Sequence, residues 1–232
     1  MNSICIITAR GGSKRIPRKN IRPFLGRPII SYSIEAAIKS GLFEEVMVST
    51  DDEEIASIAT SCGASVPFMR SSENGGDHAT TYDVLAEVVR EYGIRGREFD
   101  SLCCIYPTAP FVTAEKLRAA SAMLDGADTV LSVVRFSFPP QRGLVERSDC
   151  LSFWHPECAA ARSQDLEPVF HDAGQFYFCR IPALLSSGLI VGARTKGFVV
   201  SELEAQDIDN ISDWEIAEIK YRRMIANGET QG

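Results

Sequence analysis

The sequence lacks most of the features that would assign it at a glance. Its 232 residues include only three histidines and two tryptophans. No apolar run approaches the roughly 20 residues that a membrane-spanning helix needs, so no membrane partner is expected. The first apolar stretch is short and runs straight into cations, unlike a secretory leader. Cations are in the minority, 24 Lys and Arg against 31 Asp and Glu, for a net charge of −7. That balance argues against a nucleic-acid binder, which carries a broad basic excess. Seven cysteines are present, but none forms a CxxC pair and zinc-ligand spacing is missing. Read as buried, reduced thiols, they imply a cytoplasmic setting. The phosphate-binding patterns G-x-x-x-x-G-K-[ST] and G-x-G-x-x-G do not occur either. There is no internal repeat and no low-complexity segment.

What the chain does have is apolar residues in a regular alternation. Hydrophobic residues make up 45% of it, enough to fill the core of one large domain spanning residues 1–232. Short apolar runs read as strands at SICIIT, EVMVST, ASVPFMR, SLCCIYP and DTVLSVVRF. Helical patterns stand between them, at PIISYSIEAAIKSG, from Asp52 to Cys62, at ATTYDVLAEVVREYG and at TAEKLRAASAMLDG. Strand–helix alternation of this kind predicts an α/β fold, a mostly parallel doubly wound sheet covered on both faces. After residue 137 the pattern breaks. Residues 138–170 hold Phe153 and Trp154 between charged stretches and read as an excursion from the sheet. GQFYFCRI and KGFVVSE return as strands, and DWEIAEIKYRRMIANG closes as an amphipathic helix with Gly228 as its stop.

Against the acidic background, five cations crowd one stretch. SICIITARGGSKRIPRKN ends its apolar run at Thr8, and Arg10, Lys14, Arg15, Arg18 and Lys19 follow. In a doubly wound sheet ligands bind beyond the carboxyl ends of the strands, and this loop lies there. Gly11 and Gly12 let the backbone approach a ligand and point N–H groups at it, and Ser13 adds a hydroxyl. Arg10, Lys14 and Lys19 add charge, and the set suits a compact polyanion such as a triphosphate. The competing reading is a solvated loop whose charges serve solubility. Near the other end of the chain, QDID places Asp207 and Asp209 two apart, so an extended backbone presents both on one face. Such a pair can hold magnesium, with phosphates supplying further ligands, or it can simply open the helix that follows. Arg70, Asp77, Thr81 and the Tyr106-Pro107-Thr108-Ala109-Pro110 loop are further candidates near strand ends, Arg162 and Gln164 lie in the excursion, and the run His171 to Gln175 opens a later strand.

These motifs resemble those of the acylneuraminate cytidylyltransferases, which join CTP to nine-carbon 2-keto sugar acids. The match lies in ARGGSKRIPRKN, VSTDDEEIA, YPTAP and QDID, in order and spacing, over nearly the whole chain. RSQDL, HDAG and EAQDID resemble the pseudaminic acid branch most, whereas the sialic acid branch tends to carry Gln-Pro-Thr-Ser where Tyr106 begins the loop here. The resemblance implies a nucleotidyltransferase fold of the glycosyltransferase-A-like type and a homodimer that uses residues 138–170. It implies catalytic roles for Arg10, Lys14, Lys19, Asp207 and Asp209. Gly11, Gly12, Ser13, Asn20, Arg70, Asp77 and Thr81 would contact the nucleotide, and Tyr106, Arg162, Gln164 and Gln175 the sugar. Asp207 and Asp209 would bind magnesium or manganese, with CTP as co-substrate.

Overall fold

The computed structural model describes residues 2–76 and 78–229. In chain order the strands are β1 Ser3–Thr8, β2 Pro23–Phe24, β3 Arg27–Pro28, β4 Glu45–Ser49, β5 Ser101–Ile105, β6 Thr129–Arg135, β7 Leu144–Arg147, β8 Cys150–Phe153, β9 Phe170–Arg180 and β10 Thr195–Val199. The helices are α1 Ile30–Ser40, α2 Glu53–Ser61, α3 Ser72–Gly75, α4 Thr81–Ile94, α5 Ala114–Ala122, α6 Ile181–Ser187 and α7 Ile211–Glu229. Six strands form the main sheet in the order β10-β6-β9-β5-β1-β4. All run parallel except β9, which lies antiparallel to both β5 and β6.

Strand alternation sorts the core into two layers. Cys5, Ile7, Cys103, Ile105, Phe176 and Phe178 pack on one face beneath α1, α2 and α5. Ile4, Ile6, Leu102, Cys104, Tyr177 and Cys179 pack on the other beneath α4 and α6. Both faces of β1 and β5 are buried, which is why these strands read as continuous apolar runs rather than as alternation. A third cluster seats α7 through Trp214 and Ala217 on Phe24, Tyr32 and Phe111. Among the described residues no helix is long and apolar enough to cross a membrane.

Several expectations need correction. ASVPFMR is not a strand of the sheet. It makes one isolated bridge, Ser65 to Met47, because Pro67 has no N–H to continue a ladder. GQFYFCRI starts earlier than expected, at Phe170, and the helix α6 directly after it carries no strong periodic signal. The last helix runs through Gly228 to Glu229. The excursion is more regular than its sequence suggests. It holds the β7–β8 hairpin, whose two turn residues Ser148 and Asp149 both have positive φ, at 50° and 62°. Not all thiols are buried: Cys5, Cys103, Cys104 and Cys179 are, but Cys150 is exposed on the hairpin.

Candidate active site

The parallel strands β1, β4 and β5 end together, and the segments leaving β1 and β5 wall a crevice. A cavity of about 390 Å³ there is lined by Arg10, Ser13, Lys14, Lys19 and Asn20 from the loop after β1, and by Arg70, Thr81 and Tyr106 on other walls. Asp207 and Asp209, in the segment before α7, line it too. Two motifs almost two hundred residues apart thus face one space.

The geometry has physical causes. Lys19 donates to the Ile208 carbonyl at 2.6 Å and lies 3.7 Å from the Asp209 carboxylate, tying the loop to the acidic pair. Arg15 lines the same cavity and pairs with Asp209 at 2.8 Å. The Asp207 carboxyl is pushed up from its ordinary range, first by desolvation and then by the Asp209 charge beside it. Arg70 is buried, and its guanidinium donates to the Ser49 hydroxyl at 3.0 Å and the Ser49 carbonyl at 2.6 Å. Desolvation draws its pKa down, with Asp51 and Glu87 acting against that, yet an arginine keeps its charge in a protein. Tyr106 shares a 3.0 Å hydrogen bond with the Thr81 hydroxyl. Burial pushes the Tyr106 phenol up, so it stays protonated at neutral pH. Thr80 caps α4 with a reciprocal capping box to Asp83, which sets Thr81 at the start of the helix.

Not every expected residue reaches this cavity. Gly11 and Gly12 line a neighbouring depression on the other side of the loop, with Pro17, Arg18, Gly75 and Gly76. The Gly11 N–H is taken by Asp51 at 2.8 Å, so it does not stand open for a phosphate. Asn20 lines the cavity, but its amide donates to the Arg10 carbonyl at 2.8 Å and so fixes the loop. Gln175 is buried and spends its amide on the Glu204 carbonyl at 2.7 Å. Arg162 pairs with Asp165, and neither it nor Gln164 lines the cavity. Asp77 lies outside the described residues. Sequence reasoning gave no role to Arg15, Thr8, Ile16 or Val84, all of which line the cavity. Arg15 sits in an irregular loop, where no periodicity tells which way a side chain points.

A divalent ion would suit the Asp207–Asp209 pair. Magnesium is held by one or two carboxylates, with phosphates and waters completing its shell. The Asp207 carboxyl is raised chiefly by desolvation and next by the Asp209 charge, and a bound cation would offset the second of these.

A cationic loop thus faces an acidic pair across a crevice at the carboxyl ends of the sheet. A family model described as cytidylyltransferase matches residues 4–180. The chain is 39% identical to the pseudaminic acid cytidylyltransferase of Campylobacter jejuni over 225 residues, covering 96% of this chain and 97% of that one. It is 31% identical to the CMP-N,N'-diacetyllegionaminic acid synthase of Legionella pneumophila, covering 94% and 95%. A solved CMP:2-keto-3-deoxy-manno-octonic acid synthetase with CTP superposes with a TM-score of 0.69 at 17% identity, over 97% of this chain and 100% of that one. The chain belongs to the cytidylyltransferase family and is a CTP-dependent enzyme of the acylneuraminate cytidylyltransferase type.

Proposed function

We propose that the protein transfers CMP from CTP to the anomeric hydroxyl of pseudaminic acid and releases pyrophosphate. The observation that carries the reaction is the facing of Arg10, Lys14 and Lys19 against Asp207 and Asp209 across one cavity. The sugar assignment rests on similarity to the two Campylobacter jejuni pseudaminic acid cytidylyltransferases, at 39% and 37% identity over nearly the full length of each. The hydroxyl oxygen attacks the α-phosphorus, its proton passes to water, and the bond to the bridging oxygen breaks. Negative charge then gathers on the departing pyrophosphate. Arg10, Lys14 and Lys19 hold the triphosphate and stabilise that charge where it develops. Lys19, held by the Ile208 carbonyl, is in place before reaction and needs little reorganisation. Asp207 and Asp209 would hold magnesium or manganese, which when bound supplies further neutralisation of the phosphates. In this reading Arg70 and Thr81 serve the nucleoside end and Tyr106 the sugar.

The chain acts as a homodimer in this reading. The excursion exposes Phe138, Leu144, Leu151, Phe153 and Trp154 together on and beside the β7–β8 hairpin. An apolar patch of this kind marks an interaction surface. Arg162 and Gln164 would then serve the partner's crevice rather than their own. The free cysteines fit a reducing compartment such as the cytoplasm.

The experiment offers pseudaminic, legionaminic and N-acetylneuraminic acids in turn, with CTP and magnesium, and measures kcat/KM from pyrophosphate release. Pseudaminic acid is expected to give the highest value. A higher value for either rival would reassign the sugar and leave the reaction class standing.

A further inference from the structure

The stretch VSTDDEEIA belongs to no wall of the crevice, yet its two aspartates meet the cationic loop directly. Asp51 Oδ1 accepts the Gly11 N–H at 2.8 Å. Its other oxygen lies where a side chain on Gly75 would collide, 2.9 Å from a Cβ placed there. Asp52 takes both guanidinium nitrogens of Arg18, at 2.5 and 3.1 Å, while Glu54 takes a second contact from Arg18. The same Asp52 caps α2 by accepting the Ile55 N–H at 3.0 Å. Its Oδ2 would lie only 2.8 Å from a Cβ on Gly11. Arg18 itself is held at a positive φ of 56°, a backbone state that a non-glycine residue adopts at some cost. The loop is therefore fastened near both ends to the turn after β4, at Gly11 and at Arg18.

We propose that Asp51 and Asp52 are positioning residues for the triphosphate loop. They touch no substrate. They fix the backbone on either side of Ser13 and Lys14 so that the ligand meets a preformed cradle. This rests on reading residues 10–19 as the triphosphate site. It also accounts for one of the five cations, Arg18, which the clamp consumes, and Gly11 serves close approach rather than phosphate binding. Asp51 and Asp52 are themselves anions beside a site for a polyanion. That cost is offset where each carboxylate is occupied by a donor from the loop.

The sign of one substitution decides the matter. Asp51→Ala removes the acceptor and the repelling charge together. If Asp51 positions the loop, CTP binds more weakly. If Asp51 merely occupies an amide that phosphate would claim, CTP binds more tightly. Calorimetric CTP affinity and steady-state kinetics are measured for wild type, Asp51→Ala and Asp51→Asn. Asp51→Ala is expected to lose about tenfold or more in CTP affinity and kcat/KM, with the sugar KM within about twofold, as loss of a charge-assisted hydrogen bond predicts. Asp51→Asn keeps an oxygen acceptor and is expected to recover most of the loss. Equal or tighter CTP binding by Asp51→Ala, or equal damage from Asp51→Asn, overturns the proposal. Should Asp51→Ala not fold, Arg18→Gln opens the clamp from its other end, and an unchanged CTP affinity there overturns it equally. The binding measurement stands even if wild type turns over no sugar acid, so failure of the proposed reaction is distinguishable from failure of the clamp.

Discussion

Asp207 sits where its own charge is disfavoured, since desolvation and Asp209 both push its carboxyl up. A carboxyl with a folded pKa above its unfolded one binds its proton more tightly in the native state. Stability from this group therefore rises as pH falls through the raised value, and at neutral pH the ionised form opposes folding. Asp207→Asn is expected to melt at or above the wild-type temperature at pH 7 without added metal. Its turnover should nevertheless fall by about 100-fold or more, since the charge that would hold the ion is gone. Calorimetry and pyrophosphate release on one sample check both halves, and a clearly lower melting temperature contradicts the electrostatic reading. Asp52 has the opposite sign. Arg18 holds its carboxyl below the usual range, so its contribution is present at neutral pH and is lost as pH falls through that depressed value. At this scale the sequence was most informative where charge and spacing suffice. Arg10, Lys14, Lys19, Asp207 and Asp209 all reach the cavity. It was least informative about which polar groups are already spent. Nothing in the sequence says that Arg18 is held by Asp52 or that Gln175 is held by the Glu204 carbonyl.

Whole elements depend on signals of unequal strength. The capping residues Asp52, Thr80 and Thr113 each accept a backbone N–H at a helix start, and such residues are visible in any sequence. The hairpin was invisible because its turn is Ser148-Asp149. A two-residue turn with both residues at positive φ usually announces itself by Asn-Gly or Asp-Gly. The segment from Ala64 to Arg70 shows the reverse error, strand-like residues without a ladder. Its backbone is held by scattered bonds instead, such as Arg70 N–H to the Thr50 carbonyl at 2.8 Å. The last helix matters most for the site, because Asp207 and Asp209 precede it directly. It is anchored by Trp214, which is 4% exposed, meets Phe24 edge-on at 5.6 Å and lies under the Arg22 guanidinium. Trp214→Ala is expected to cost about 3–5 kcal/mol in urea unfolding, the range for a large aromatic lost from a core. A loss well under 1 kcal/mol would mean that α7 is not anchored there.

At the scale of the molecule, an acidic chain concentrates cations at one end of its sheet and apolar residues on one hairpin. The first feature draws a small anion to the crevice past a repelling surface. In the homodimer proposed above, the second would meet a second copy of the chain, with Trp154 57% exposed. Light scattering at micromolar concentration should give twice the chain mass, and Trp154→Ala should shift that mass toward one chain, since large aromatics carry much of an interface's energy. A wild-type protein that runs as a monomer would leave Arg162 and Gln164 without a role at either crevice. Transfer itself is tested most directly by following CTP labelled at its α-phosphate, with pseudaminic acid and magnesium present. The label is expected to move into a CMP-linked sugar, one pyrophosphate appearing per labelled product and none when either sugar or metal is left out. Label recovered as free CMP, or pyrophosphate released without the sugar acid, would contradict transfer to a sugar hydroxyl.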